Sequence, residues 1–317
     1  MKVIEIINTA KKPLFTFELL PPLKGHNIDT LYNAIDPLIE FDPAYINITY
    51  HSHDVMYKER NDGLLEKKIV RKRPGTVALS AAIKNKYKIS VVTHLICAGL
   101  TREETEDILI DLNFLGIHNL LVLRGDPPKS KRLFIPENGG HAHSVDMVKQ
   151  IVDLNNGKYL DYELQNAKSS NFCIGVAGYP EKHCEAPNID SDLNFLKEKV
   201  DAGAEYVVTQ MFFDNQKYFD FVDKCRAKGI TVPIVPGVKP MSSLKDIDLL
   251  PQIFRIDIPE DLVKEIKKCK TNADVREVGV EWTTKQSQEL IKYGVPGIHY
   301  YTLGRSDNIK RIAKAVF

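Results

Sequence analysis

The sequence has 317 residues, 43% of them hydrophobic, with 43 basic and 42 acidic side chains and a formal charge of +1. A chain of this length can bury a large core, and its balanced charge gives no general attraction to nucleic acid or to an anionic membrane. No apolar run is long enough to cross a bilayer, and Met1 to Lys12 lacks a signal-peptide core, so a cytoplasmic protein with no nucleic-acid or membrane partner is expected.

Strand-like and helix-like patterns alternate along the chain. Leu14–Leu20 predicts a first strand, and Ile28–Phe41 a helix with Ile28, Leu31, Ile35 and Leu38 on one face. Tyr45–Tyr50 is a second strand, and Leu64 to about Tyr87 reads as mostly helical, interrupted near Pro74. Ile89–Ile96 is a third strand. Thr101 and Glu104 form a capping box for a helix that Gly116 closes, before a fourth strand at Asn119–Leu123.

Ser144–Leu154 predicts a helix, Cys173–Ala177 a fifth strand, and Asp190–Ala202 a helix ending at Gly203. Strand six is Tyr206–Met211, followed by a helix over Gln216–Ala227 and strand seven at Val232–Val235. Several helical pieces fill Ser242 to Tyr293, strand eight is His299–Leu303, and Ser306 caps a last helix. The segment near 155–172 does not fit the repeat, and its polar run Gln165–Asn171 reads as a surface excursion.

Eight strand–helix units imply a parallel sheet covered by helices, and closure into a single α/β (βα)8 TIM barrel over residues 1–317. An open doubly wound sheet is the alternative. The five cysteines are odd in number, widely spaced and without a Cys-x-x-Cys pair. They are expected to be reduced thiols in packing roles, and no metal site is expected.

In a barrel, reacting groups sit at the C-terminal strand ends. There the sequence places Glu18, Thr49-Tyr50-His51, His94, Arg124-Gly125-Asp126, Tyr179 to His183, Gln210 and Arg305. Glu18 alternates with Phe15, Phe17 and Leu19, so closure would turn it into the lumen, where a desolvated carboxyl suits a general acid. A solvated strand position is the plainer alternative. Arg124-Gly125-Asp126 could be an ordinary turn, His94 a hydrogen-bonded core residue, and Phe212-Phe213 packing. Gln210 among apolar neighbours needs partners that a ligand could supply. No Gly-x-Gly-x-x-Gly follows a strand, so no dinucleotide fingerprint is visible. The residues alone support a barrel enzyme with an acidic and aromatic mouth.

Several motifs carry a resemblance. Phe15-Thr16-Phe17-Glu18-Leu19-Leu20-Pro21-Pro22, Leu123-Arg124-Gly125-Asp126-Pro127 and Ala177-Gly178-Tyr179-Pro180-Glu181-x-His183 occur in order. Thr209-Gln210-x-Phe212-Phe213, Pro236-Gly237 and His299-Tyr300-Tyr301-Thr302-Leu303-x-Arg305 follow. Together they resemble the methylenetetrahydrofolate reductase family over about residues 14–306. The resemblance implies a (βα)8 barrel holding FAD non-covalently. It also implies reduction of 5,10-methylenetetrahydrofolate to 5-methyltetrahydrofolate with NADH or NADPH, supplying methyl groups for methionine synthesis.

By the same resemblance, Glu18 is similar to the general acid, and Asp126 to the residue beside the pterin and flavin. Gln210 and Arg305 match folate-contacting positions, with Glu18 and Asp126. Thr49, Tyr50, His94, Arg124, Gly125, Asp126, His143, Tyr179, His183, Asp192 and Lys199 match flavin-contacting positions. Departures include Leu19-Leu20, Gly304, His143 and Leu250, the last near a position where some bacterial members place a phenylalanine. A bacterial-type barrel without the S-adenosylmethionine-binding regulatory domain of eukaryotic forms is expected, as a homo-oligomer. A flavin-free lyase or aldolase using Glu18, and a non-catalytic folate-binding module, are the competing readings.

Overall fold

The computed structural model describes residues 1–51, 53–126, 133–161, 163–302 and 304–317. Pro127 and Leu303 of the motifs above lie outside the described residues. The barrel strands are β1 (Leu14–Leu19), β2 (Tyr45–Ile48), β3 (Ser90–Ile96), β4 (Asn119–Leu123), β5 (Cys173–Gly178) and β6 (Tyr206–Thr209). Strand β7 comes in two pieces, Ile234–Val235 and Gly237–Val238, and β8 is Gly297–Tyr301.

All neighbouring pairs run parallel, in the order β8, β1, β2, β3, β4, β5, β6. The first piece of β7 pairs with β6 and the second with β8. Pro236, between the pieces, has no N–H for the ladder. Its carbonyl nevertheless accepts the N–H of His299 at 2.9 Å. The sheet is therefore a barrel closed except for that break, and the expected (βα)8 architecture holds.

The period of two along β1 sorts its side chains. Phe15, Phe17 and Leu19 enter the main core between strands and helices, with Leu31, Ile35 and Ile298. Thr16 and Glu18 point the other way: the Thr16 hydroxyl meets His299 Nδ1 at 3.0 Å inside the barrel. A second, smaller core fills the lower lumen with Tyr45, Val92, Leu121, Tyr206, Val208 and Val235. Burying these apolar rings and branched chains supplies the dominant favourable term of folding.

The lumen core is capped from below by a short helix, Val3–Thr9, which the sequence pattern did not signal. Val3 is fully buried against the lumen core, with Ile4, Ile6 and Ile7 packed beside it. The Val3 N–H donates to Asn119 Oδ1 at 2.8 Å, and Asn119 Nδ2 donates to the Met1 carbonyl at 3.2 Å. The first bond satisfies an N–H at a helix start that has no internal acceptor for it, and the second ties the same asparagine to the chain just before the helix.

Four expectations are corrected. The stretch from Leu64 is not helical: Asp54–Glu59 and Leu65–Val70 form an antiparallel hairpin, and the helix covers only Thr76–Tyr87. The first helix is α-helical over Asp29–Ile35 and tightens to a 3-10 helix over Asp36–Phe41, where Pro37 interrupts the backbone donors. Strand seven keeps only Ile234–Val235 of the expected Val232–Val235 and resumes, beyond Pro236, at Gly237–Val238. Ser306 stands at the N-cap of Asp307–Val316 but its side chain makes no cap hydrogen bond. The capping box at Thr101 and Glu104 is present, with Glu104 N–H to Thr101 Oγ1 at 3.1 Å and Thr101 N–H to Glu104 Oε2 at 2.8 Å.

The five cysteines are all free. Cys97, Cys173 and Cys225 are buried, and burial pushes each thiol up to about 12. Cys184 is exposed, so the packing role expected for every cysteine fails there. Among the described residues, no helix is long and apolar enough to cross a membrane.

Candidate active site

Closure brings Glu18, His94, Tyr179, Gln210, His299 and Tyr301 around one cavity of about 100 Å³ at the C-terminal strand ends. Register explains the grouping. Glu18 is level with Asn47 on β2 and with Tyr301 on β8. One pleat lower, Thr16 is level with His299. Glu18 is 8% exposed, so its carboxyl reaches the cavity while its stem is buried. Its Oε2 lies 3.8 Å from His299 Nε2. That ring nitrogen is buried and has no hydrogen-bond partner among the described residues.

His94 is buried beside Glu18, and its Nε2 faces Asn47 Nδ2 at 3.2 Å. Burial lowers its pKa to about 4, against the opposing pull of Glu18, so the ring is neutral at pH 7. Asn47 Oδ1 is buried and unpaired among the described residues. Tyr301 donates its hydroxyl to the Thr209 carbonyl at 2.6 Å, and burial and the Glu18 charge hold that phenol protonated. Gln210 turns its Oε1 back onto the Met211 N–H at 2.9 Å, which leaves its amide NH2 as the available donor.

A polar cluster lies on the rim beyond β4 and β5. Arg124 pairs with Glu185 at 2.5 Å, and its guanidinium stands 5.0 Å over the Phe134 ring. The Arg124 pair holds Glu185 below the usual carboxylate range. Tyr179 packs edge-on against His183, ring centres 4.7 Å apart. The His183 N–H donates to Asp192 Oδ2 at 2.9 Å. Lys199 donates to the Ala177 carbonyl at 2.8 Å. Burial lowers its pKa to about 8, and Asp192 opposes that only in part. His143 precedes the helix Ser144–Asn155, and its charge also acts on Glu185.

Gly125 follows with φ of +84°, and a Cβ there would lie 2.9 Å from the Ala98 Cβ. The left-handed backbone and the close approach both require glycine. Asp126 is exposed at the mouth, and its charge and that of Glu18 both act on His51. Thr49 donates to the Leu19 carbonyl at 3.2 Å and meets His51 Nε2 at 3.3 Å. Tyr50 is half-buried, and burial raises its hydroxyl above the ordinary range. Arg305 is exposed and belongs to a separate, adjoining cavity.

The profile described as methylenetetrahydrofolate reductase matches residues 2–316. The chain belongs to the methylenetetrahydrofolate reductase family. It is 31% identical over 316 residues to methylenetetrahydrofolate reductase (NADH) 1 of Arabidopsis thaliana, covering 96% of this chain and 48% of that one. It is 32% identical over 294 residues to the 5,10-methylenetetrahydrofolate reductase of Salmonella typhimurium, covering 92% of this chain and 86% of that one. The chain thus spans about half the length of the plant relative. Among solved structures, a Clostridium thermocellum protein described as binding two copies of 5-methyl-5,6,7,8-tetrahydrofolic acid aligns with a TM-score of 0.62 at 13% identity. That alignment covers 98% of this chain and 96% of the other, and shows the shared fold.

Within this family frame, the structure gives positions to residues that the motifs contain without a role. His299 and Tyr301 share the lumen face of β8, two residues apart, a spacing that period-two alternation could have revealed. Glu181 accepts the Asp257 N–H at 2.5 Å, and burial raises its carboxyl to about 7. Leu250 lies on the helix Asp246–Phe254 and packs with Met211, Phe213 and Met241, outside the residues that line the Glu18 cavity.

Proposed function

We propose that the chain reduces 5,10-methylenetetrahydrofolate to 5-methyltetrahydrofolate with NADH or NADPH, by way of bound FAD. The observation that carries this is the placement of Glu18 beside Tyr179 and Gln210 in one lumen cavity, next to the rim cluster of Arg124, His183 and Lys199. That rim fits an anionic, aromatic cofactor. Lys199 is a desolvated ammonium with no carboxylate within salt-bridge distance among the described residues, and Asp192 acts on it only at longer range. A half-buried, desolvated cation with so little compensation fits a phosphate or ring oxygen of a flavin. Thr49, Tyr50, His94, Gly125, Asp126, His143, Tyr179 and Asp192 would complete the binding edge.

When bound, FAD would supply the hydride. The chain's own residues would do the rest. Glu18 would hold a proton at the bridging nitrogen of the folate, opening its five-membered ring to an iminium electrophile. The exposed carboxylate of Asp126 would favour that cation electrostatically. Gln210, with its NH2 free to donate, would orient the pterin edge, and Arg305 would face the benzoylglutamate carboxylates. The names of the plant and enteric relatives support the reaction class.

The test is spectroscopic. The purified protein, reconstituted with FAD, should show a flavin spectrum that NADH or NADPH bleaches and 5,10-methylenetetrahydrofolate restores. Bleaching without restoration by folate would refute the reading.

A further inference from the structure

Strand β6 ends at Thr209, and residues 210–214 run as irregular backbone to the helix Asn215–Ala227. Carbonyls in buried irregular backbone must find donors outside a ladder. The Thr209 carbonyl takes the Tyr301 hydroxyl at 2.6 Å. The Phe212 carbonyl takes Gln286 Nε2 at 2.9 Å, and the Phe213 carbonyl takes Trp282 Nε1 at 3.0 Å. Trp282 and Gln286 lie one turn apart on the helix Asn272–Tyr293, so a single helix face grips two successive carbonyls. Asn215 Nδ2 ties that helix to the start of Asn215–Ala227. It donates to the Gln286 carbonyl at 3.0 Å and to Glu289 Oε2 at 2.6 Å.

Packing alone would not select Gln286. It is 5% exposed, and its Oε1 is buried without a hydrogen-bond partner among the described residues. Asn215 Oδ1 and Thr283 Oγ1 are unpaired in the same sense. A buried acceptor without a donor lowers stability, and an apolar chain of similar shape would avoid that cost. What the glutamine supplies in return is the bond to Phe212.

That bond bears on Gln210, two residues earlier. The Gln210 N–H donates to the Gly178 carbonyl at 2.8 Å, and its Oε1 takes the Met211 N–H at 2.9 Å. The run from Gln210 to Phe213 is thus held at its first amide from β5 and at its last two carbonyls from the outer helix. We infer that Gln286 and Trp282 are positioning residues for Gln210. They fix the peptides that follow it, and so the direction in which its free NH2 enters the Glu18 cavity. The inference rests on the folate reading above, in which that NH2 orients the pterin, and deepens it. On that reading the Gln210 amide serves the folate and not the nicotinamide, so the effect is one of specificity. Misplacing an orienting group by about 1 Å can cost on the order of 10²-fold in rate.

The FAD-loaded enzyme is compared with Gln286→Met, Trp282→Phe, Gln210→Ala and the two double variants that carry Gln210→Ala. Stopped flow gives the rates of flavin reduction by NADH and of reoxidation by 5,10-methylenetetrahydrofolate. Titration of the flavin spectrum gives the Kd of 5-methyltetrahydrofolate. Gln286→Met should slow reoxidation and weaken product binding by about tenfold, the effect of one hydrogen bond, and leave reduction by NADH unchanged. Trp282→Phe should act in the same direction, and carries the test by itself if the methionine variant does not fold. With Gln210 already alanine, neither substitution should cost anything further, since residues that act through one another are not additive. Additive losses would overturn the inference, as would equal losses in both half-reactions or a lowered Tm with the folate reaction intact. An undiminished folate reaction in Gln210→Ala would overturn it too, with the folate reading left standing. An unaltered enzyme that passes electrons from NADH to menadione but not to the folate would instead overturn the folate reading, and this inference with it.

Discussion

Glu18 and His299 face each other across the seam between the first and last strands, with Oε2 3.8 Å from Nε2. The imidazole is fixed from its other side by Thr16, whose hydroxyl meets Nδ1 at 3.0 Å. A ring held in this way limits the rotamers open to the carboxyl. His299 is therefore read as a positioning residue for Glu18.

Glu18→Gln keeps the shape of the side chain and removes the proton. NADH should still reduce the flavin at close to the normal rate. Folate reduction should fall by about 10²–10⁴-fold, the usual contribution of a general acid. Stopped-flow measurement of the two half-reactions separates them, and equal losses in both would disprove the assigned role.

His299→Leu should leave flavin reduction intact and lower the folate half-reaction. His299→Gln, which keeps a polar group beside Glu18, should recover part of that loss. An equal loss in both variants would show that the ring only fills space.

Lys199→Met tests the cofactor edge. Replacing a desolvated ammonium by an apolar chain of similar volume is often neutral or stabilising. The apoprotein Tm should hold or rise, while the Kd for FAD increases at least about tenfold, the loss of one charge-assisted contact. Unchanged FAD affinity would remove Lys199 from the binding edge.

The buried His94 sets a pH dependence of stability. Its folded pKa of about 4 lies below the ordinary value of 6.5. The folded state therefore binds fewer protons than the unfolded chain between those values. The stability contribution is fully present above pH 6.5 and is lost as pH falls toward 4. Glu18, His299 and His51 are the charged or titratable groups that act on the ring. Tm measured across that window should fall less steeply in His94→Asn than in the unaltered protein, and parallel curves would contradict this account.

Gly125→Ala combines a left-handed backbone with a contact of 2.9 Å to Ala98. Gly25 has φ of +97° but nothing within 4 Å of its hypothetical Cβ. The alanine at 25 should cost about 1 kcal/mol from backbone alone, and the one at 125 distinctly more. Denaturant midpoints of the two variants measure the difference, and equal midpoints would show that Ala98 gives way.

Much of the barrel is legible in the sequence because its strands are buried on both faces and read as short apolar runs. The hairpin is not, because its paired residues, such as Met56 with Lys68 and Tyr57 with Lys67, carry no alternation between a wet and a dry face. Leu64 and Leu65, both exposed, imitate a helical start there. Strand seven escapes its expected limits because Pro233 and Pro236 withhold ladder donors. The helix Val3–Thr9 is too short for periodicity to register, and what stabilises it is contact with the lumen core. In the site, alternation along β1 and β8 could place Glu18 and His299 on lumen faces, but their meeting depends on strands joined across 283 residues of chain. Pairings of that separation leave no local pattern.

The same short N-terminal helix has a bearing on proton supply. Among the described residues, apolar side chains fill the lower lumen and Val3 stoppers its base, so Glu18 meets solvent on the side of the mouth. On the proposed reading, the acid would be recharged through the mouth by which substrates come and go. An occupant of the mouth would then isolate the carboxyl from bulk water, and the proton used in a turnover would be loaded before the pterin is seated.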